Sequence, residues 1–381
     1  MEFETRAIHA GQEPDPSTGA VTVPIYQTST YAQEAVGQLK DGYDYSRTAN
    51  PTRRALEQCL ASLESAHHGI AYASGMAAAT TVMHLIDPSR PVVSVNDVYG
   101  GTYRLFSRVF EPKGYRFQYV SAAECNEGLA GRLPEGTALV WIETPTNPLL
   151  NVVDIAAAAT AAHSAGAILV VDNTFASPAL QRPLELGADL VVHSTTKYLG
   201  GHSDLVGGFA ATSDDGLAEQ LRFLQNSLGA VPGPFDAWLV LRGLKTLSLR
   251  MRAHCENAAA VVEFLGGRGD VPHVLYPGLP GHPGHAIAAR QMSGFGGMVS
   301  FLAGSEQRAV DIVERTRIWA LAESLGGVES LIEHPGRMTH ASTADSPFAA
   351  PLDLVRLSVG IEAAADLLDD LEQALDGATA G

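Results

Sequence analysis

Lys197 stands in "VVHSTTKYLGGHSD" (191–204), where a β-branched apolar run breaks into hydroxyls, one lysine and two glycines. A buried ammonium is costly unless paired or neutralised, so this lysine either snorkels to solvent or performs chemistry. Ser194 and Thr196 put two hydroxyls at the same strand end. A second stretch, "AYASGMAAATTVMHLI" (71–86), passes from a turn of small residues into a helix expected to begin near Ser74-Gly75-Met76. Free N–H groups at a helix start favour an anion, and Gly75 lets the backbone approach closely. A third, "AILVVDN", closes on Asp172, and a carboxylate ending a buried run needs a cationic or protonated partner. Each also has an ordinary reading, Ser74 as an N-cap and Asp172 as the cap of the next turn. Taken together they meet the needs of pyridoxal phosphate: a phosphate cradle, a carboxylate that keeps the pyridine nitrogen protonated, and an amine for a Schiff base. A desolvated lysine beside a cationic ring is also the better nucleophile.

Positioning these groups falls to the runs "RPVVSVND" (90–97), "TALVWIETP" (137–145), "GAILVVDN" (166–173), "ADLVVHST" (188–195) and "GGFAAT" (207–212), with an Ala-rich helix at 154–166 between two of them. Near-continuous apolar strands alternating with helices predict an α/β protein whose mostly parallel sheet is covered on both faces. Ligands of such sheets bind beyond the carboxyl ends of the strands. Asn96, Asp97, Glu143, Thr144, Asp172, Asn173 and the 194–197 segment are therefore candidates as a group. Residues 1–47, with Pro14, Pro16 and Pro24, read as an extended arm lying on a neighbouring subunit. Residues 48–248 form the expected ligand-binding domain, and 249–381 a smaller C-terminal α+β domain. One long helical stretch is expected from about Phe235 to Leu265.

At 381 residues, 46% hydrophobic and 18% charged, the chain can bury a sizeable core, and it has no apolar run long enough to span a membrane. Its start is polar and acidic, which suggests a cytoplasmic protein. A formal charge of −17 without a basic stripe argues against nucleic acid. Three dispersed cysteines suggest neither disulfides nor a thiolate metal site, and His282 and His285 in a Pro/Gly loop lack the carboxylate or cysteine pattern of a metal centre. No strand leads into GxGxxG and no P-loop occurs, so a nucleotide-binding oxidoreductase is disfavoured.

The stretches "YSRTANPTR" (45–53), "ASGMAA" (73–78), "DVYGGTYR" (97–104), "ETPTNP" (143–148), "VDNTFASP" (171–178), "HSTTKYLGGHSD" (193–204), "YPGLPGHPGH" (276–285), "LAESLGGVESLIEHP" (321–335), "MTHAS" (338–342) and "VRLSVG" (355–360) occur in one order. In that order they resemble the Cys/Met-metabolism family of pyridoxal-phosphate enzymes over nearly the whole chain. The resemblance implies the aspartate aminotransferase-like fold, fold type I of the PLP-dependent transferases, and a homotetramer of two dimers with shared sites. It implies that Lys197 carries the cofactor and shuttles protons, with Asp172 on the pyridine nitrogen, Asn147 at the ring hydroxyl and Tyr99 stacked on the ring and assisting at the leaving group. Gly75, Met76, Ser194 and Thr196 would hold the phosphate, and Tyr45 and Arg47 the phosphate of the neighbouring subunit. Arg356 would bind the substrate α-carboxylate with Ser324 and Asn147, while Glu323, Arg104 and Thr339 would line the distal substrate site. By pattern alone, Arg356 reads as a surface arginine of an edge strand and Tyr99 as a packed aromatic.

The implied activity is γ-elimination on L-cystathionine, or, as the alternative, its formation by γ-replacement of an activated homoserine ester with cysteine. The segment "RFLQNSLGAVPGPFDAWLVLRGLKTL" (222–247) looks closer to the lyases. A non-catalytic binding protein on this scaffold is the remote alternative.

Overall fold

Seven short runs of apolar and β-branched residues pair into one sheet because their backbone groups, once buried, must find partners within it. They are β1 (His68–Tyr72), β2 (Pro91–Val95), β3 (Arg116–Val120), β4 (Leu139–Glu143), β5 (Ile168–Asp172), β6 (Leu190–Ser194) and β7 (Gly208–Thr212). Their spatial order is β1-β7-β6-β5-β4-β2-β3. This computed structural model describes residues 1–339 and 349–378, so the end of the "MTHAS" stretch lies outside the described residues.

β2, β3, β4, β5 and β6 run parallel, and β7 runs antiparallel to both its neighbours. The run "GGFAAT" is thus the reversed strand of the mostly parallel sheet expected from the sequence. Residues 195–207 join β6 to β7 without a helix, and a parallel return needs a long crossover. With one strand reversed, the carboxyl ends of β1, β2, β4, β5 and β6 share one edge. The chain order reverses between β2 and β4, which is where an open α/β sheet forms its ligand crevice.

The single helix expected over 235–265 is two, Pro234–Leu244 and Leu247–Gly266. The Gly243 carbonyl accepts from the Thr246 N–H at 3.3 Å and the Arg250 guanidinium at 2.9 Å. With that acceptor taken, the helical ladder breaks and the axis turns. The arm is likewise not extended throughout. Phe3–His9 is helical, and Ala7 is buried against Leu56, Cys59 and Leu60 of the helix Pro51–Leu63.

A second sheet is built from β8 (His273–Leu275), β9 (Met298–Leu302), β10 (Ala320–Leu321), β11 (Leu331–Glu333) and β12 (Leu354–Ser358), in the order β10-β11-β12-β9-β8. One face is apolar: Val299, Phe301, Ile332, Val355 and Leu357 pack with residues of the helices Glu306–Arg315 and Ala364–Gly377. The other face carries Ser300, whose Oγ donates to the Pro148 carbonyl at 2.8 Å, and Ser358, whose Oγ accepts from the Gly326 N–H at 2.9 Å. The first bond ties the second sheet to the loop that follows β4, and the second holds the β10–β11 connection against β12. Arg356 sits on this face of the central strand β12 and is 2% exposed, against the edge-strand, surface reading of its pattern.

Two glycines let the layers meet at that edge. Gly208 pairs with both Tyr72 and Ser194, and a Cβ on it would lie 2.1 Å from the Ser74 carbonyl oxygen. A Cβ on Gly75 would lie 2.9 Å from Ser194 Cβ. Gly208→Ala is expected to cost about 1–3 kcal/mol by overpacking. Gly131→Ala, where a Cβ would meet nothing within 4 Å, is the control. Thermal melts of the two variants check this, and equal melting temperatures would contradict the close approach.

Candidate active site

The helix Gly75–Met83 begins at the carboxyl edge of the sheet because Ser74 caps it, its side chain accepting from the Ala77 N–H at 3.0 Å. Its free N–H groups face the end of β6, where Ser194 and Thr196 stand. Thr196 Oγ1 accepts from the Gly207 N–H at 3.0 Å, and a Cβ on Gly207 would lie 2.3 Å from Thr195 Oγ1. The result is a narrow cradle of N–H and hydroxyl groups that only glycine backbones leave open.

Three carboxyls gather beside it. Asp172 Oδ1 accepts from the Thr174 N–H at 3.0 Å and from Thr174 Oγ1 at 2.6 Å, and the same hydroxyl accepts from the Ser194 N–H at 2.9 Å. Glu143, opposite Asp172 in the register, accepts from the Tyr99 N–H at 2.9 Å. Asp97 accepts from Thr146 Oγ1 and, at 3.1 Å, from the Asn151 amide. Burial pushes the Asp97 carboxyl up to about 6 and raises Asp172. Glu143 is raised well above the ordinary carboxylate range, first by burial and then by the charge of Asp172.

Lys197 lies 2.6 Å from Ser324, its Nζ donating to Oγ. Burial, and then the Arg356 charge, lower its ammonium to about 8. Ser324 has φ 99°, a left-handed conformation uncommon outside glycine. In that pose its hydroxyl meets Lys197 while its carbonyl accepts from Arg356 Nη2 at 2.9 Å. Arg356 Nη1 donates to Asn147 Oδ1 at 2.8 Å, and Nη2 faces Glu333 Oε2 at 3.0 Å.

A cavity of about 300 Å³ collects these groups. Gly75, Met76, Tyr99, Asn147, Asp172, Ser194, Thr196, Lys197, Glu323, Ser324, Thr339 and Arg356 line it, so twelve of the fifteen residues that the family resemblance assigns converge; of the further strand-end candidates Glu143 lines it, whereas Asn96, Asp97, Thr144, Asn173 and Thr195 do not. Tyr45, Arg47 and Arg104 do not line it. Arg47 donates to the Asn226 carbonyl at 3.1 Å and sits over the Tyr45 ring, and Arg104 ends the short helix Gly100–Arg104 with its side chain exposed. Sequence reasoning missed Thr174 and Glu333. The first was legible as an Asp-x-Thr turn; the second gave no local signal, because it is placed by cross-strand register with Arg356. A larger hollow of about 560 Å³ near Arg53 and Arg222 gathers no strand ends. Its Arg53 is spent on the carbonyls of Ser46, Arg47 and Thr48.

These residues fit pyridoxal phosphate. The glycine-lined cradle suits a phosphate, and three desolvated carboxyls with Asp172 at the cavity wall suit a protonated ring nitrogen. The lowered lysine suits an amine that must react while neutral. From its position, capture of pyridoxal phosphate by the stripped protein should accelerate with pH and level off above about pH 8. Stopped-flow absorbance measures this, and a rate still climbing towards pH 10 would contradict the buried setting of Lys197.

Comparison with known proteins agrees with this geometry. The family described as Cys/Met metabolism PLP-dependent enzyme matches residues 4–376. Cystathionine gamma-synthase of Mycobacterium bovis is 59% identical over 373 residues, covering 97% of this chain and 96% of that protein. Cystathionine gamma-lyase of Dictyostelium discoideum is 53% identical over 376 residues, covering 98% and 97%. The solved structure of metB from Corynebacterium glutamicum superposes with a TM-score of 0.97 at 51% identity, covering 99% of this chain and 98% of that one. The chain thus belongs to the Cys/Met-metabolism family of pyridoxal-phosphate-dependent enzymes, with its fold type I architecture.

Proposed function

We propose that the chain works on L-cystathionine at the γ-carbon, releasing L-cysteine, 2-oxobutanoate and ammonia with the uptake of one water. The observation that carries this reading is one cavity lined by Arg356, Lys197 and Glu323. A guanidinium fork suits an α-carboxylate, a neutral amine suits removal of an α-proton, and a second carboxylate suits the distal ammonium of a two-headed amino acid. Pyridoxal phosphate, when bound, supplies the electron sink. Lys197, with its amine neutral, would take the α-proton and return one further along the chain. Tyr99, 40% exposed at the mouth, delivers a proton to the departing sulfur. Asp172 would hold the ring nitrogen, and the two bonds it accepts from Thr174 favour its charged form.

A second reading, γ-synthase, is favoured by the 59% identity to a protein of that name. It uses the same residues, with a cysteine thiol re-entering at the γ-carbon in place of the γ-substituent of an O-acylhomoserine. In either case we expect two chains to share each pair of sites, Tyr45 and Arg47 of one reaching the phosphate of the other, in a cytoplasmic homotetramer.

Catalytic efficiency on cystathionine alone, compared with that on an O-acylhomoserine plus cysteine, separates the readings. The first reading predicts that cysteine and 2-oxobutanoate release is the faster, and faster condensation would reverse it. Glu323→Gln should lower kcat/KM for cystathionine by about 10–100-fold, the value of a charge-assisted contact. It should barely affect elimination from an O-acylhomoserine, which has no distal amine. Equal losses on both substrates would remove Glu323 from the distal site.

A further inference from the structure

Glu333 stands behind Arg356. The two are cross-strand partners on β11 and β12, 1% and 2% exposed, and Nη2 lies 3.0 Å from Oε2. Thr339 Oγ1 donates to Glu333 Oε1 at 2.7 Å. Among the described residues no hydrogen bond reaches Glu333 Oε2 or leaves Arg356 Nε. Arg356 lines the cavity; Glu333 does not. A carboxylate entering the cavity would thus meet a guanidinium already neutralised from the rear.

Arg356 and Glu333 together are neutral, and an incoming carboxylate makes the trio net negative around a pair that is itself buried. Desolvation makes such excess charge expensive, and the cheapest relief is a proton. Among the described residues, the other charges around the pair are Lys197 and Glu323 from the facing loops and Glu143 from β4. His334, the next residue, is engaged by the Arg337 N–H at 3.2 Å. Glu323 and Glu143 are acidic and oppose a second carboxylate. Lys197 would favour one as a free ammonium, but in the holoenzyme its nitrogen would be taken up by the cofactor. Among the described residues, only Glu333 touches the guanidinium with a group able to take up the proton.

We propose that Glu333 is a proton-coupled counter-ion of Arg356: binding of a substrate carboxylate drives Glu333 to take up a proton, and affinity is set by that exchange. This rests on the reading of Arg356 as the carboxylate anchor. Burial already raises Glu333 above the ordinary 4.5 in the unliganded protein, and the second carboxylate raises it further. Protonation therefore favours the bound state. Affinity is full below the unliganded value and falls by up to about tenfold per pH unit until the bound-state value is passed.

The probe is butanoate, a carboxylate with no amine and so no imine exchange, titrated calorimetrically into the holoenzyme in two buffers of different ionisation enthalpy. Wild type should take up protons, the fraction rising towards one between the unliganded and bound-state values of Glu333, with affinity falling as pH rises. Glu333→Gln should take up none and should bind about tenfold tighter at pH 8, while Glu333→Asp should keep the uptake. Arg356→Gln should lose butanoate at every pH. No uptake by the wild type, or unchanged uptake in a Glu333→Gln protein with a wild-type circular dichroism spectrum, overturns the proposal. Wild-type binding by Arg356→Gln overturns the anchor reading instead, and the proposal with it. If Glu333→Gln does not fold, the wild-type and Glu333→Asp proton counts decide.

Discussion

Desolvation of a single amine at the end of β6 is the constraint on which the site depends. In water the Lys197 ammonium would hold its proton to about 10.4. In the cavity, burial and the Arg356 charge bring it to about 8, within reach of neutral solution. The same burial raises Asp97, Glu143 and Asp172. Strand ends are the natural place for this. Backbone hydrogen bonds hold each residue in register while the side chains project past the last buried pair.

The surrounding contacts serve mainly to fix where those groups point. Thr174 joins Asp172 to the Ser194 backbone, so a carboxylate on β5 and a hydroxyl on β6 move together. Ser324, in a left-handed conformation, joins Lys197 to Arg356 and thereby the first sheet to the second. On the far side of β6, His193 pairs with Glu64, both fully buried, and Asn173 donates to the same carboxylate at 3.2 Å. Rigid supports of this kind keep reactive side chains near one geometry without a ligand present.

The sequence was most informative where local chemistry and burial coincide. β2, β4, β5 and β6 were legible as apolar runs, and Ser74, Asp172 and Lys197 as polar residues at the ends of buried segments. β1 and β3 were not singled out: "HGIAY" offers small residues with little β signal, and "RFQYV" alternates at a sheet edge with its arginine in solvent. The reversal of β7 and the break at Lys245–Thr246 depend on tertiary partners. The first goes with a connection that contains no helix to cross the sheet, the second with an arginine one turn ahead taking a helix carbonyl. Arg356 shows the limit most plainly. A lone charge in "DLVRLSV" looks like surface until β9, β11 and Glu333 close around it. Motif resemblance supplied its role as a carboxylate anchor; neither composition nor periodicity carried that information.

The central claim is that the Lys197 amine, and no other, holds the aldehyde cofactor. Borohydride reduction of the yellow protein followed by peptide mapping tests it directly. The account predicts a stable pyridoxyl adduct on the lysine of "HSTTKYLGG" alone, and an adduct on any other lysine would contradict it.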